Sequence, residues 1–314
     1  MAASVPRRPP GSKMTTPTRT SLKAERKKTL PDLDLRFPPL PRTVNEVSTL
    51  LSEQTDIPDT PRLTEIIHND PVMAASVLKR INSAYFGIRR HVSDVAKAVR
   101  LLGFLEVCNI VLASAMMSLR DVVKTRGQAN IFEQIMQASV GTASYALELT
   151  RYLKIPYREI AFTSGILHAS GRLVLLHNRP AEYERLWRGC APGTMPTAEA
   201  ERALFGVDHS LLGGMAVDHW HLPPTVVQVV RSYLMPGHIK DPKLRVIALA
   251  VSVAASATEQ LCMSPGDTNL RFEAKTALRI LARSSEATTQ ELIELIEDRR
   301  KSVTDFMASM VYSL

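Results

Sequence analysis

A chain of 314 residues that is 45% hydrophobic, 22% charged and 5% aromatic can bury one large core or two modest ones, and it has the balance of a globular protein. Its longest mostly apolar run, residues 246–255, falls well short of the ~20 residues that cross a bilayer, so no transmembrane helix is predicted. The net charge of +8 is uneven: residues 1–30 hold eight Lys and Arg against Glu25 alone, a balance of +7 that leaves +1 for everything after them.

That tail is rich in Pro, Ser and Thr and cannot bury enough apolar surface to order itself, so residues 1–32 are expected to be disordered. Arg19, Lys23, Arg26, Lys27 and Lys28 within it are candidates for weak, non-specific contact with nucleic acid or anionic lipid. Met14 offers a second translation start. No apolar segment or cleavage-like site follows the N-terminal charges, and Arg7-Arg8 is not a twin-arginine export signal, so a cytoplasmic protein is expected. Cys108, Cys190 and Cys262 are odd in number, widely spaced and form no C-x-x-C pair, which suits reduced thiols.

Residues 33–41 are apolar and studded with proline, which fits an extended strap over a helical body. Val44, Val47, Leu50 and Leu51 then recur at helical spacing, and Leu63, Ile66 and Ile67 mark a second short helix. Asp70-Pro71 is a strong helix start, since Asp accepts from the first-turn amides and Pro suits the first helical position. Met73, Val77 and Ile81 continue it to Asn82-Ser83. A helix is predicted from Ser93 to Gly103 and a longer one over 104–119, with 120–130 as a polar joint between two parts of the domain, 33–125 and 131–240. Residues 131–154 read as one helix whose small residues imply close packing. Further helices are predicted over 181–187, from the Thr197 and Asp208 caps, over 226–234, from Asp241-Pro242 to Leu261, and over 271–283 and 289–311. The last is opened by the capping box Thr288-x-x-Glu291, and residues 241–314 are expected to pack on the bundle as additional C-terminal helices. No convincing strand alternation occurs, so the class is all-α.

Residues 158–178 organise the rest. Phe162-Thr163-Ser164-Gly165-Ile166-Leu167-His168-Ala169-Ser170-Gly171-Arg172-Leu173 has the character of buried helix that admits one imidazole, with glycines where helices approach closely. On the residues alone His168 is either a hydrogen-bonded core histidine or a metal ligand without company.

The order of motifs is informative: Leu40-Pro41, Asp70-Pro71, Ile81-Asn82-Ser83-Ala84-Tyr85-Phe86-Gly87, Ala98-Val99-Arg100-Leu101-Leu102-Gly103, Gly165-Ile166-Leu167-His168, Gly171-Arg172-Leu173, Phe205-Gly206-Val207-Asp208-His209 and Trp220-x-Leu222-Pro223. Over roughly residues 36–240 this resembles the HDOD domain, a bacterial regulatory module related to the HD metal-dependent phosphohydrolases. The resemblance implies an all-helical fold in which an N-terminal helical part packs on an HD-like bundle, and a role in signalling. HD enzymes hold divalent metal with several His and Asp side chains. Here the first expected His position is taken by Ala138, the Asp of the His-Asp doublet by Ala169, the paired histidines by Tyr233-Leu234 and the closing aspartate by Val251. His168 and His209 remain. Two imidazoles without a carboxylate cannot enclose a hard divalent ion, so no metal, cofactor or catalytic residue is expected.

Two further clusters stand apart from that set. Asp218-His219-Trp220-His221 cannot converge on one ion from adjacent helical positions and is expected to be a solvated helix end. Tyr85, Phe86, Arg89 and Arg90 bring aromatic and cationic groups onto one loop, a candidate contact for a partner or an anion that competes with an ordinary exposed loop. The expected function is a non-catalytic regulatory or scaffold protein acting through signalling partners. The alternative is a nucleotide or cyclic-dinucleotide receptor using the degenerate cavity, and residual hydrolase activity is a third reading.

Overall fold

Capping side chains set where seven of the helices begin. The computed structural model describes residues 35–52, 58–83, 86–88, 91–123, 128–156, 158–190, 194–263 and 272–311. The basic tail with its five candidate residues, and Tyr85, Arg89 and Arg90, lie outside the described residues. The helices are α1 (Arg42–Ser52), α2 (Thr60–His68), α3 (Pro71–Ile81), α4 (Val95–Leu102), α5 (Phe104–Val123), α6 (Ala129–Tyr152), α7 (Arg158–Leu167), α8 (Ser170–Asn178), α9 (Pro180–Arg188), α10 (Ala198–Phe205), α11 (His209–His219), α12 (Pro224–Ser232), α13 (Pro242–Met263), α14 (Phe272–Ser284) and α15 (Thr289–Val311). No strand occurs among the described residues, and the class is all-α.

Asp70 accepts from the Met73 amide at 3.0 Å and Asp208 from the Leu211 amide at 2.9 Å. Thr197 accepts from the Ala200 amide at 3.2 Å. Thr288 and Glu291 close the expected reciprocal box, at 3.1 Å from the Glu291 amide to Thr288 and 2.7 Å from the Thr288 amide to Glu291. Each satisfies a first-turn amide that would otherwise lack a partner.

Several boundaries differ from the predicted ones, and four of the differences have a local reason. Asp94, not Ser93, caps α4, because its carboxylate reaches the amides of both Ala96 and Lys97. The helix predicted to stop at Leu119 continues to Val123, held across the polar joint by Arg120, which donates to Glu133 of α6 at 2.5 Å. The stretch 158–178 breaks at His168-Ala169 into α7 and α8. Finally α12 ends at Ser232, freeing Tyr233 to point into the core.

The strap does lie over the helical body. The Trp220 indole donates to the Pro38 carbonyl at 2.8 Å, and Phe37 stacks on His219 at 4.9 Å. The Arg36 backbone makes two 2.8 Å hydrogen bonds with the Asn178 amide group. Beyond it, Asn82 clamps the loop after α3, accepting from the Val92 amide at 2.8 Å and donating to the Val92 carbonyl at 2.7 Å. Gly103, at φ 87°, lets α4 and α5 meet at 118°, a conformation other residues adopt only with strain.

Helix α6 runs through the middle, against α7, α13 and α15, while α8 and α12 pack on α11. Glycines mark the closest approaches: a Cβ on Gly165 would lie 2.5 Å from the Ala143 Cα, and one on Gly171 2.0 Å from the His209 carbonyl oxygen. One apolar core extends from Val44 in α1 to Val311 in α15, crossing the polar joint. Helix α13 is long and apolar enough, by length and composition, to cross a membrane, which the ten-residue run did not suggest. It packs against α6, α7, α12 and α14 and buries Ile247, Ala250, Val251 and Ala254.

Candidate functional site

The break between α7 and α8 delivers His168 to the centre of the bundle, 3% exposed. Its Nδ1 donates to the Gly165 carbonyl at 2.7 Å, and its ring meets Tyr233 edge-on at 5.4 Å. Burial drives its pKa down to about 3, so the ring is neutral at ordinary pH. His168 is the hydrogen-bonded core histidine of the two readings weighed from sequence.

Four helices bring charge to its neighbourhood. Arg172 on α8 is 7% exposed and Glu201 on α10 is wholly buried. Arg172 Nη1 donates to the Pro196 carbonyl at 2.8 Å, to Glu201 Oε1 at 3.0 Å and to the Tyr183 hydroxyl of α9 at 3.3 Å. Tyr183 in turn donates to Glu201 Oε1 at 3.1 Å. The other carboxylate oxygen accepts from the His209 amide at 2.7 Å and from His209 Nδ1 at 2.5 Å, at the start of α11. His209 Nε2 is left as an acceptor, with the Tyr233 hydroxyl at 2.7 Å and Arg172 Nη2 at 3.4 Å. The Nδ1–H tautomer matches every one of these donors to an acceptor.

The electrostatics follow. Desolvation pushes the Glu201 carboxyl up, but His209 and Arg172 beside it, with the hydrogen bonds from His209, outweigh that and hold it below the usual carboxylate range. Burial raises the Tyr233 and Tyr183 hydroxyls well above the ordinary phenol value, so both stay protonated donors. The result is a buried, charge-compensated network in which Glu201 and His209 have their hydrogen-bonding capacity taken up.

A divalent ion does not fit this set. The positions that the HD resemblance assigned to ligands hold buried Ala138, Ala169 and Val251, none of which can donate an electron pair. Both His209 nitrogens and both Glu201 oxygens are engaged, and the Arg172 guanidinium supplies the positive charge a metal would otherwise bring. No group of three or more His, Cys, Asp or Glu side chains arranged for metal occurs among the described residues.

Sequence reasoning found His168 and His209 but missed Arg172 as the charge at the centre, and missed Glu201, Tyr183 and the hydrogen-bonding role of Tyr233. A signal was present: Arg172 precedes the apolar run Leu173-Val174-Leu175-Leu176, and an arginine buried in such a run demands a carboxylate. The structure does not bring the loop candidates into this site. Phe86 is half-buried and packs against the apolar core. His219 and His221 are exposed at the end of α11. Cys108 is buried, Cys190 half-buried and Cys262 exposed, all as free thiols.

These features define a class: an all-helical bundle of HD type whose metal-ligand positions are filled by apolar residues and an internal ion pair. The HDOD domain family matches residues 37–236, and the chain belongs to that family. Its fold is shared with an HDOD domain protein of unknown function from Geobacter sulfurreducens, at TM-score 0.73 and 17% identity, covering 89% of this chain and 94% of that one. A candidate signal transduction protein from Marinobacter aquaeolei VT8 aligns at TM-score 0.69 and 20% identity, over 89% of this chain and 60% of that one. An uncharacterized protein of Treponema pallidum (strain Nichols) is 22% identical over 72% of this chain, which spans 42% of that relative's length.

Proposed function

We propose that this protein is a non-catalytic regulatory or scaffold module of bacterial signal transduction that acts by binding other proteins. The observation that carries the reading is Arg172: a permanently charged guanidinium sits 3.0 Å from Glu201 and 3.4 Å from His209, at the centre where a hydrolase of this class needs a cation with open coordination positions. The signalling name of one structural neighbour accords with it, as does the family. A phosphohydrolase name attached to another neighbour of the same fold, from Shewanella amazonensis SB2B, keeps hydrolysis as the reading to be beaten.

A ligand-receptor role has a specific observation beside it. A cavity of about 270 Å³ lies next to the old first-ligand position, lined by Ala138, Gln134, Gln137 and Glu259. Its described lining has amides and a carboxylate but no basic side chain, which suits a neutral polar ligand and argues against a nucleotide phosphate. The partner contact is placed on the loop of Tyr85, Phe86, Arg89 and Arg90, and location in the cytoplasm follows from the same role.

Elemental analysis of purified protein, with a phosphodiester and phosphomonoester assay in Mn²⁺, tests the catalytic half. No stoichiometric metal and no turnover are expected. About one metal per chain with turnover lost in His168→Ala would overturn the reading. For the partner half, Arg89→Glu with Arg90→Glu should abolish recovery of the native partner while the helical circular dichroism stays intact. Full recovery would remove the loop from the interface.

A further inference from the structure

Away from the ionic network a second cavity, of about 150 Å³, opens between α1, α7 and α12. Its walls are apolar: Leu51 from α1, Ile160 from α7, and Pro223, Pro224 and Val226 at the start of α12. Four polar residues break that surface, the hydroxyl-bearing Ser48, Thr163 and Thr225 and the acidic Glu159. Ser48 is 1% exposed, and its hydroxyl has no hydrogen-bond partner among the described residues. Glu159 is the one acidic or basic side chain among the described residues that line the cavity, is half-buried, and makes no ion pair with them. An apolar cavity of this size accommodates a single six-membered ring. A buried hydroxyl without a partner among the described residues offers an occupant a hydrogen bond, and a carboxylate in the lining favours positive charge there.

From this we infer that the cavity is a binding site for a compact organic cation: one ring or branched apolar body, a hydrogen-bonding group facing Ser48, and an ammonium facing Glu159. Such a ligand touches α1 of the N-terminal part and α7 and α12 of the bundle together, and so stabilises their docked arrangement by binding it preferentially. An effector role for the ligand rests on the regulatory reading above, whereas the binding itself does not, so an empty cavity would refute the site and leave that reading standing.

The test uses the full chain and three compounds of one shape: tyramine, which is cationic, tyrosol, which is neutral, and 4-hydroxyphenylacetate, which is anionic. Methyl NMR follows Leu51, Ile160 and Val226. Tyramine should give saturable shifts confined to these methyls, tyrosol should bind more weakly, and 4-hydroxyphenylacetate should not bind. Glu159→Gln should reduce tyramine affinity roughly fivefold, to the level of tyrosol. Thr225→Trp, which plugs the half-exposed mouth, should remove binding while leaving the melting temperature near that of the parent. Ser48→Ala should weaken tyramine and leave phenethylamine, which lacks the hydroxyl, unchanged. Binding of 4-hydroxyphenylacetate as tight as tyramine, or tyramine shifts that persist in Thr225→Trp, would overturn the inference.

Discussion

Two arginines are buried among the described residues, and their surroundings give them opposite energetic signs. Arg172 is compensated by Glu201, so replacing it with Met leaves a buried carboxylate facing His209 and Tyr183 alone; a loss of about 3–5 kcal/mol is expected. Arg80 on α3 is 1% exposed, and only its Nη2 is satisfied, by the Met310 carbonyl at 3.1 Å. Its Nε and Nη1 have no partner among the described residues, and burial lowers its pKa to about 10, which keeps it charged at neutral pH. Arg80→Met should therefore be neutral or stabilising, by up to a few kcal/mol. Urea denaturation of the two variants checks the contrast, and a large loss in Arg80→Met would show that α15 depends on this one donor. His168 makes a pH prediction. Its folded pKa of about 3 is below the unfolded value, so the unfolded chain takes up the proton first as pH falls. The stability conferred by the neutral ring is complete above ~pH 6.5 and is lost progressively towards pH 3. Glu106, a half-buried carboxyl that desolvation holds above the usual range, works in the opposite sense, so the reading must be a difference between proteins. Between pH 7 and 5 the wild type should lose roughly 2 kcal/mol more than His168→Gln. Identical pH profiles would place the ring in contact with water.

At the scale of elements, helix contacts made through glycine backbone predict sharp position dependence. A methyl on Gly171 would sit 2.0 Å from the His209 carbonyl oxygen, which is backbone and cannot rotate aside. On the exposed end of α9 a methyl on Gly189 finds its nearest atom at 3.4 Å. Gly171→Ala should cost about 3 kcal/mol or prevent folding, while Gly189→Ala stays within about 0.5 kcal/mol of the parent. Equal melting temperatures would show that α8 and α11 can slide apart freely. This also explains what the sequence disclosed. Caps at Asp70, Thr197, Asp208 and Thr288 were legible because each is a contact between residues three apart in the chain. Ser93 was mistaken for Asp94 because both residue types can cap, and only the backbone path decides which one reaches the amides. The close-packing glycines were legible as types, since Gly165 and Gly171 stand in a buried run. The ionic network was not legible, because its members come from α8, α9, α10, α11 and the end of α12, and no local period links Arg172 to a glutamate 29 residues later. Tyr233 was seen as a lost ligand position, whereas its hydroxyl is the partner that completes His209.

For the whole molecule the decisive quantity is where the charge lies. Residues 1–30 carry +7 of the net +8, while the helical body has a balance of +1 and keeps its strongest charges inside, as Arg172 against Glu201. If the chain attracts polyanions at long range, this charge balance predicts that the tail does it, through Arg19, Lys23, Arg26, Lys27 and Lys28. Contact of that kind works by release of condensed counterions, so it falls steeply as salt rises and carries no sequence preference. Among the described residues the fully buried core runs from Val44 to Val311, and a tail this polar has little apolar surface to add to it. Deleting residues 1–30 should leave the melting temperature and the helical signal per folded residue unchanged, and should abolish retention on single-stranded DNA and on anionic vesicles at low salt. In the intact chain the same retention should fade as salt approaches the physiological range. Retention that survives the deletion, or that is indifferent to salt, would move the anion site into the neutral body and make the half-buried loop at Phe86 the first place to look.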